Sequence, residues 1–200
     1  MPKKKGIHSK TGQRRLEIIQ AALSCFDEYG FNETTIEDIR KRSNASSGSI
    51  YHHFKSKDQL GAAVYLEGIK HYQQGVLEHM EKNNTPKGLI ESMVGFYFQW
   101  MKDNTAWARY LMQMRQEAFM ELSANSIVFE NKQYIERLAA LFTPKIKAGK
   151  LRKLPLEIYI SLILGPCECY GRFWLDKVTD ADIRLATREI IESAWNSLKM

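Results

Sequence analysis

Apolar residues recur at intervals of three and four along nearly all of this 200-residue chain, and that spacing constrains the fold more than any other feature. Side chains three or four positions apart lie on one face of an α-helix, whereas a strand alternates with a period of two. The pattern resumes after each short polar break that contains Gly, Pro, Asn or Ser. The sequence therefore predicts an all-α protein built from successive amphipathic helices.

The distribution of charge narrows the class of partner. The formal net charge is +6, and residues 1–60 hold eleven Lys and Arg against seven Asp and Glu, so most of the excess lies in the first third. A basic region is compatible with a polyanionic partner, although charge alone is a weak indication of nucleic acid or an anionic membrane. We expect residues 1–12, with Lys3, Lys4, Lys5 and Lys10, to form a basic, disordered tail.

Cysteine content and hydropathy favour a cytoplasmic protein. Because the cysteines are odd in number, they leave no complete disulfide framework, and we expect Cys25, Cys167 and Cys169 to be buried and inert. A soft-metal or oxidation-sensing role for the last two is the alternative. No apolar stretch follows the basic N-terminus, and the longest apolar run, Ile158–Cys167, is too short to span a bilayer. We therefore expect no membrane partner.

Three short helical patterns joined by tight turns occupy residues 13–58. The first ends at Gly30, a natural left-handed cap. Thr34 and Glu37 form a T-x-x-E capping box for the second helix, and Thr35 is the alternative cap. This layout is typical of a helix-turn-helix domain, and the long pattern at 59–82 predicts a connecting helix.

The third helix follows a turn at Asn44, a residue that tolerates positive φ, and Ser46 or Ser47 can cap it. Ile50 and Phe54 form its buried pair, which leaves a small, polar and aromatic outer face: Ser47, Gly48, Tyr51 and His52. Such a face suits the major groove of DNA, and Lys57, after the Ser56–Gln59 capping box, can reach a phosphate. An ordinary three-helix bundle with an exposed aromatic face is the alternative.

A second helical region is predicted at residues 83–200, where Thr85 caps a helix whose first residue is Pro86. A later helix is predicted from about Asn125 to Lys147, with an apolar stripe that includes Val128 and Ile135. Two more helices close the chain, and the Gly165-Pro166 step is expected to kink the first of them.

Residues 34–60 resemble the DNA-binding signature of the TetR family of bacterial regulators. The matching positions keep the family's order and spacing: Thr35, Ile39, Ser46, Gly48, Ile50, Tyr51, His53, Phe54, Lys57 and Leu60. The chain departs from the family at four positions, with Arg40 and Ser43 in place of alanines, Asn44 in place of glycine and Ala45 in place of valine. The resemblance implies a sequence-specific DNA-binding regulator, which we expect to be a repressor.

Site residues follow from the same resemblance. It implies that Ser47, Gly48, Tyr51 and His52 contact base edges or the groove wall and that Thr35, His53 and Lys57 contact phosphates. Tyr51 can do both, and Ser46 belongs to the same DNA-contacting set. It also implies a small-molecule effector in the C-terminal region. A largely apolar or aromatic ligand fits the aromatic and Met residues there, and these are the candidates: Tyr97, Trp100, Trp107, Tyr110, Met114, Tyr134 and Tyr170. These side chains can equally be ordinary core.

Family members pair their last two helices with those of a second subunit, so the resemblance implies a homodimer on a palindromic operator. Two other classes of function are compatible with a helical chain of this size. An enzyme is disfavoured because no phosphate loop, HExxH, G-x-S-x-G or metal-spaced Cys/His cluster occurs, and no cofactor is expected. A helical scaffold, or a protein that binds DNA without sequence preference or ligand response, remains the alternative.

Overall fold

The computed structural model describes residues 10–114 and 124–200. Over those residues it consists of nine helices, which confirms the all-α prediction. Their bounds are α1 Lys10–Tyr29, α2 Ile36–Ser43, α3 Ser47–His53, α4 Lys57–Met80, α5 Pro86–Asp103, α6 Thr105–Met114, α7 Ala124–Lys147, α8 Leu156–Leu175 and α9 Ile183–Leu198. No helix in the described ranges is both long enough and apolar enough to cross a membrane.

The N-terminal helices α1, α2 and α3 pack around one hydrophobic cluster, to which the start of α4 contributes Leu60 and Val64. Helix α1 begins at Lys10, so the prediction of a disordered tail is wrong for residues 10–12; Lys3, Lys4 and Lys5 lie outside the described residues. The helix ends where Gly30 adopts a φ of +82°, as predicted. That left-handed turn directs the chain toward α2.

The N-terminal cap of α2 differs by one residue from the first prediction. Thr35 is the cap: its hydroxyl accepts from the Asp38 N–H at 3.2 Å, and the Asp38 carboxylate accepts from the Thr35 N–H at 2.9 Å. The Thr34–Glu37 pair is therefore wrong, and the alternative is confirmed. Thr34 is instead buried, and its hydroxyl lies 2.7 Å from the Gly30 carbonyl and 3.2 Å from that of Cys25.

The turn into α3 follows the prediction. Asn44 has a φ of 50°, and the Ser46 hydroxyl accepts from the Ser49 N–H at 3.1 Å. One of the two hydrogen bonds of the predicted capping box of α4 is present, because the Ser56 hydroxyl accepts from the Gln59 N–H. The Gln59 side chain accepts instead from the N–H of Lys55, one residue before the cap. Ile50 and Phe54 are buried, so the inner face of α3 is fixed against the N-terminal cluster.

A second cluster fills the C-terminal region, with contributions from α4, α5, α7, α8 and α9. Thr85 caps α5 and Pro86 opens it, as predicted. Helix α7 buries Tyr134, Leu138 and Phe142, which are four residues apart. Two other members of its predicted stripe are exposed, Val128 by 65% and Ile135 by 37%, because they lie seven apart on the face that points away from the cluster.

The thiols do not share one environment. Cys25 and Cys167 are buried, but Cys169 is exposed, so the expectation of three buried thiols is wrong for this residue. Burial raises the pKa of Cys167 to about 12, which keeps that thiol protonated at neutral pH. Helix α8 continues through Pro166.

The contacts of Thr34 generate a stability prediction. Substitution Thr34→Val keeps the shape of the side chain but removes the hydroxyl that donates to two carbonyls at the end of α1. We expect the free energy of unfolding to fall by about 1–2 kcal/mol, because buried carbonyls lose a donor. Urea denaturation measures this change, with Thr34→Ser as the control that keeps the hydroxyl. Equal stability of the Val and wild-type chains would contradict the assigned contacts.

Candidate functional site

The outer face of α3 is a continuous surface that takes no part in the core. Ser47, Gly48, Tyr51 and His52 are all exposed, and Tyr51 is 48% accessible. A Cβ added at Gly48 would approach only the Ser46 hydroxyl, at 4.0 Å, so the backbone is open to a partner there. The structure therefore brings the four predicted base-contacting residues together on one side of one helix.

The residues beside this face are partly committed to internal contacts. Thr35 and Ser46 use their hydroxyls to cap α2 and α3, although both side chains remain exposed. His53 is half-buried, with its ring 5.3 Å from that of His52. Burial, followed by the nearby His52 and Arg15, lowers the pKa of His53 below its usual value. At neutral pH its imidazole is therefore an uncharged hydrogen-bond donor rather than a cation.

Lys57 occupies a position that the sequence pattern alone does not predict. Its ammonium donates to three carbonyl oxygens of the segment between α1 and α2: those of Phe31 and Asn32 at 2.9 Å and that of Thr34 at 3.1 Å. The same nitrogen lies 4.9 Å from the centre of the Phe31 ring. The charge of Lys57 therefore ties the first turn of α4 to the loop that precedes α2, and these contacts use all three of its protons.

The side chain of Arg40, at one of the departures from the family pattern, is held by a neighbour on α2. Its guanidinium donates twice to the Glu37 carboxylate, each time at 2.7 Å. This ion pair is exposed and takes no part in the cap of α2, which Thr35 and Asp38 form.

A cavity of about 280 Å³ lies beyond α3, among helices of the C-terminal region. Aromatic and aliphatic side chains form most of its wall, and several polar groups accompany them: Tyr65, Ile69, Tyr72, Gln73, Tyr97, Trp100, Met101, Ala108, Leu111, Met112, Asn131, Glu168 and Arg172. Asn131, Glu168 and Arg172 are exposed, which places the opening of the cavity beside them. This volume and lining suit a small, largely apolar molecule.

Two of the seven predicted ligand residues, Tyr97 and Trp100, line this cavity. Tyr110 instead belongs to the N-terminal cluster, where it stacks on Phe26 and donates to the Gly61 carbonyl at 3.0 Å. The remaining four pack elsewhere: Trp107 over Gly68, Met114 on the N-terminal cluster, Tyr134 in the C-terminal core, and Tyr170 on Phe98, from where its hydroxyl donates to the Ala181 carbonyl.

Sequence reasoning missed the whole α4 wall of the cavity. Tyr65, Ile69, Tyr72 and Gln73 lie three or four residues apart on one face of α4, which is the only signal that could have grouped them. His71 of α4 is also engaged, because the Trp100 indole N–H donates to its Nδ1 at 3.0 Å. No group of His, Cys, Asp or Glu in residues 10–114 and 124–200 is arranged to hold a metal ion.

Helix α6 lies between the cavity and the N-terminal cluster. Its residues Ala108, Leu111 and Met112 line the cavity. On other faces of the same helix, Tyr110 contacts α1 and α4, and Arg109 forms an ion pair with Asp27 of α1 at 2.8 Å. A displacement of α6 by a molecule in the cavity would therefore act directly on the helices that support α3.

The surface of α8, with the segment around α9, carries large apolar side chains that are exposed among the described residues. Four of them are more than two-fifths exposed: Ile158, Phe173, Val178 and Leu185. Apolar residues collected on neighbouring helices are typical of a protein–protein contact.

Comparisons with known proteins agree with this geometry. The family model described as "Bacterial regulatory proteins, tetR family" matches residues 18–64, which include α2, α3 and the first turns of α4. The chain is 25% identical over 173 residues to the HTH-type transcriptional regulator RutR of Escherichia coli (strain K12), covering 86% of this chain and 81% of that one. It is 44% identical over 92 residues to the HTH-type transcriptional repressor KstR2 of Mycolicibacterium smegmatis, covering 44% and 42%.

The whole fold also has a solved counterpart. The crystal structure of the transcriptional regulator FadR from Bacillus subtilis in complex with stearoyl-CoA superposes with a TM-score of 0.77 at 19% identity, covering 90% of this chain and 96% of that one. The similarity therefore extends from the α2–α3 region through the helices that surround the cavity. Residues 18–64 therefore carry the N-terminal domain of the TetR family of bacterial regulatory proteins, and the chain is a DNA-binding transcriptional regulator.

Proposed function

We propose that the protein is a transcriptional repressor that binds a palindromic operator as a homodimer and leaves it when a small, largely apolar or aromatic effector occupies the cavity. The observation that carries this proposal is the outer face of α3, which is exposed while Ile50 and Phe54 on its inner face are buried. A helix held only by its inner face presents the other to the major groove.

The assignment of DNA contacts follows the placement of each side chain. Ser47, Gly48, Tyr51 and His52 read base edges, because they share the exposed face of α3. Thr35, Ser46 and His53 contact phosphates at its margin, where the Ser46 hydroxyl and the uncharged His53 imidazole can donate. The Thr35 hydroxyl donates to the Asp38 carboxylate at 2.6 Å, so it reaches a phosphate only if that bond is exchanged. Lys57 supports these contacts by holding α4 against the preceding loop, and its charge lies beside the same surface.

The exposed apolar residues on α8, on α9 and between them support the proposed dimer. Burial of Phe173 and Leu185 against a second copy would remove them from water and place two α3 helices about a twofold axis. Such a pair matches successive major grooves roughly 34–36 Å apart, so the operator is expected to be a palindrome.

The effector acts through helices that both regions share. The cavity wall includes α4, whose start is tied to the loop before α2, and α6, which contacts α1. In some conformations of the dimer, the distance between the two α3 helices does not match successive major grooves. A ligand that binds more tightly to such a conformation shifts the population away from the DNA-bound state. We divide the chain into the DNA-binding domain 13–58, the connecting helix 59–82 and the effector and dimerisation domain 83–200.

The relatives support this assignment in different ways. KstR2 is a repressor by name, and the FadR structure holds stearoyl-CoA, so the fold is compatible with both repression and an effector that is largely apolar. We assign no enzymatic activity and a cytoplasmic location, in keeping with relatives that are regulators.

Selection of bound fragments from a genomic DNA pool tests the proposal. We expect the purified chain to enrich a palindromic sequence and to bind one half-site much more weakly than the full site. Retention of all fragments equally, with no palindrome among them, would favour the alternative of a DNA-binding protein without sequence preference or ligand response.

Tyr51 supplies a test of the base-contacting face. Replacement Tyr51→Ala should weaken operator binding by about 1–3 kcal/mol, because the ring is placed to contact a base edge or groove wall. Folding stability should hardly change, since the side chain is exposed. Fluorescence anisotropy on labelled operator measures the affinity, with Phe129→Ala on α7 as an exposed aromatic control. Unchanged affinity of the Tyr51 variant would count against its assignment.

Lys57 is expected to behave differently from Tyr51. Substitution Lys57→Met should lower the free energy of unfolding by about 1–3 kcal/mol, because three carbonyls lose a charged donor. The matched control is Lys55→Met, two residues earlier and exposed, which should change stability by less than about 0.5 kcal/mol. Urea denaturation compares the two. Equal stabilities would mean that the Lys57 ammonium is available to DNA instead of the loop.

A further inference from the structure

The hydroxyl of Tyr72 is a buried polar group in the cavity wall with no hydrogen-bond partner among the described residues. Its ring lies edge-on to two other aromatic residues of the wall, 6.1 Å from Tyr97 and 5.3 Å from Trp100 between ring centres. Buried polar groups are nearly always paired, because a lost water contact must be replaced. The structure therefore supplies a donor without supplying its acceptor.

The protonation state of this hydroxyl is fixed by its surroundings. Burial, followed by the neighbouring Tyr134, Tyr97, Cys167 and Glu168, raises the pKa of Tyr72 well above its usual value. Burial likewise raises the pKa of Tyr97. Both phenols are therefore neutral at physiological pH, and an acceptor brought into the cavity can receive a hydrogen bond from either.

Two other polar groups of the wall, Trp100 and Gln73, are already engaged. The indole N–H of Trp100 is directed to His71, and the Gln73 side chain donates to Asn131 across α4 and α7 at 2.7 Å. Tyr97 approaches α8, where a Cβ at Gly171 would lie 2.9 Å from its hydroxyl. Arg172, the next residue of α8, lines the opening of the cavity and forms no ion pair with a carboxylate of the described residues. Glu168 lies one turn earlier on the same helix.

We propose that the effector is a ring-containing, largely apolar molecule whose acceptor oxygen, a carbonyl or a carboxylate, receives the hydrogen bond of Tyr72. This inference rests on the proposed function, since it assigns the chemistry of the same cavity. At the packing density of protein interiors, a volume of 280 Å³ holds roughly 200 Å³ of ligand atoms, which suits two fused rings with a short substituent. The aromatic wall accepts the rings by edge and face contacts.

Three matched probes test the acceptor: 2-acetylnaphthalene, 2-ethylnaphthalene and 2-naphthoate. Calorimetry on the full chain gives the ratio of affinities of the acetyl and ethyl compounds, first for wild type and then for Tyr72→Phe. Because both probes are measured on both proteins, their different hydration cancels. We expect the ratio to fall about fivefold to tenfold in the variant, which keeps the ring but lacks the donor.

Tyr134→Phe is the control, because its hydroxyl is also buried without a partner but its side chain does not line the cavity. Both variants should be at least as stable as wild type without ligand, since each removes an unpaired hydroxyl. Only Tyr72→Phe should change the ratio. An unchanged ratio in Tyr72→Phe, an equal fall in Tyr134→Phe, or failure of all three probes to bind would overturn the proposal.

The variant Arg172→Gln distinguishes a carboxylate acceptor from a neutral carbonyl acceptor. If the effector is a carboxylate, this variant should weaken 2-naphthoate binding severalfold and leave 2-acetylnaphthalene unaffected. Equal binding of 2-naphthoate by both proteins assigns a neutral carbonyl instead, and the role of Tyr72 stands in either case. If the protein selects a palindrome but the ratio of acetyl to ethyl affinities is the same in wild type and Tyr72→Phe, only this inference is refuted. If the ratio falls in Tyr72→Phe as expected but the protein selects no DNA, the proposed function is refuted.

Discussion

Helix α4 is the element on which the rest of the molecule depends, because both hydrophobic clusters are built on it. Leu60 and Val64 belong to the N-terminal cluster, while Val76 and Met80 belong to the C-terminal one. An unbroken helix of 24 residues transmits a tilt along its length without an intervening joint. Lys57 fixes its first turn to the loop before α2. The position of α3 and the shape of the cavity are therefore not independent properties.

The second connection between the two regions is α6, which the sequence does not distinguish from ordinary core. Tyr110 and Trp107 both read as members of an aromatic stripe. In the folded chain, Tyr110 completes the N-terminal cluster and Trp107 lies over Gly68, where a Cβ would come within 2.6 Å of its ring. Because the contact between Trp107 and Gly68 is close-packed, it can hardly be compressed. A change in the cavity wall is therefore expected to displace α6 as a unit.

The sequence predicted local structure well where one or two neighbouring residues determine it. Gly30, Asn44 and Thr85 lie where their backbone or capping chemistry requires. The choice between Thr34 and Thr35 failed because both have the right chemistry, and burial against α1 decided between them. The wall of the cavity could not be predicted, since its residues come from several helices whose rotations only tertiary packing sets. Val128 illustrates the same point, because helical spacing does not say which face finds a partner.

The division of α3 into two faces has a consequence for how such a regulator changes over generations. Burial of Ile50 and Phe54 stabilises the folded state, whereas the exposed side chains opposite them contribute little to stability. If these side chains contact DNA as proposed, mutations at Ser47, Tyr51 or His52 alter which promoter is recognised while the protein remains as stable as before. A duplicated gene could acquire a new target by a few such steps and inherit the old effector response intact.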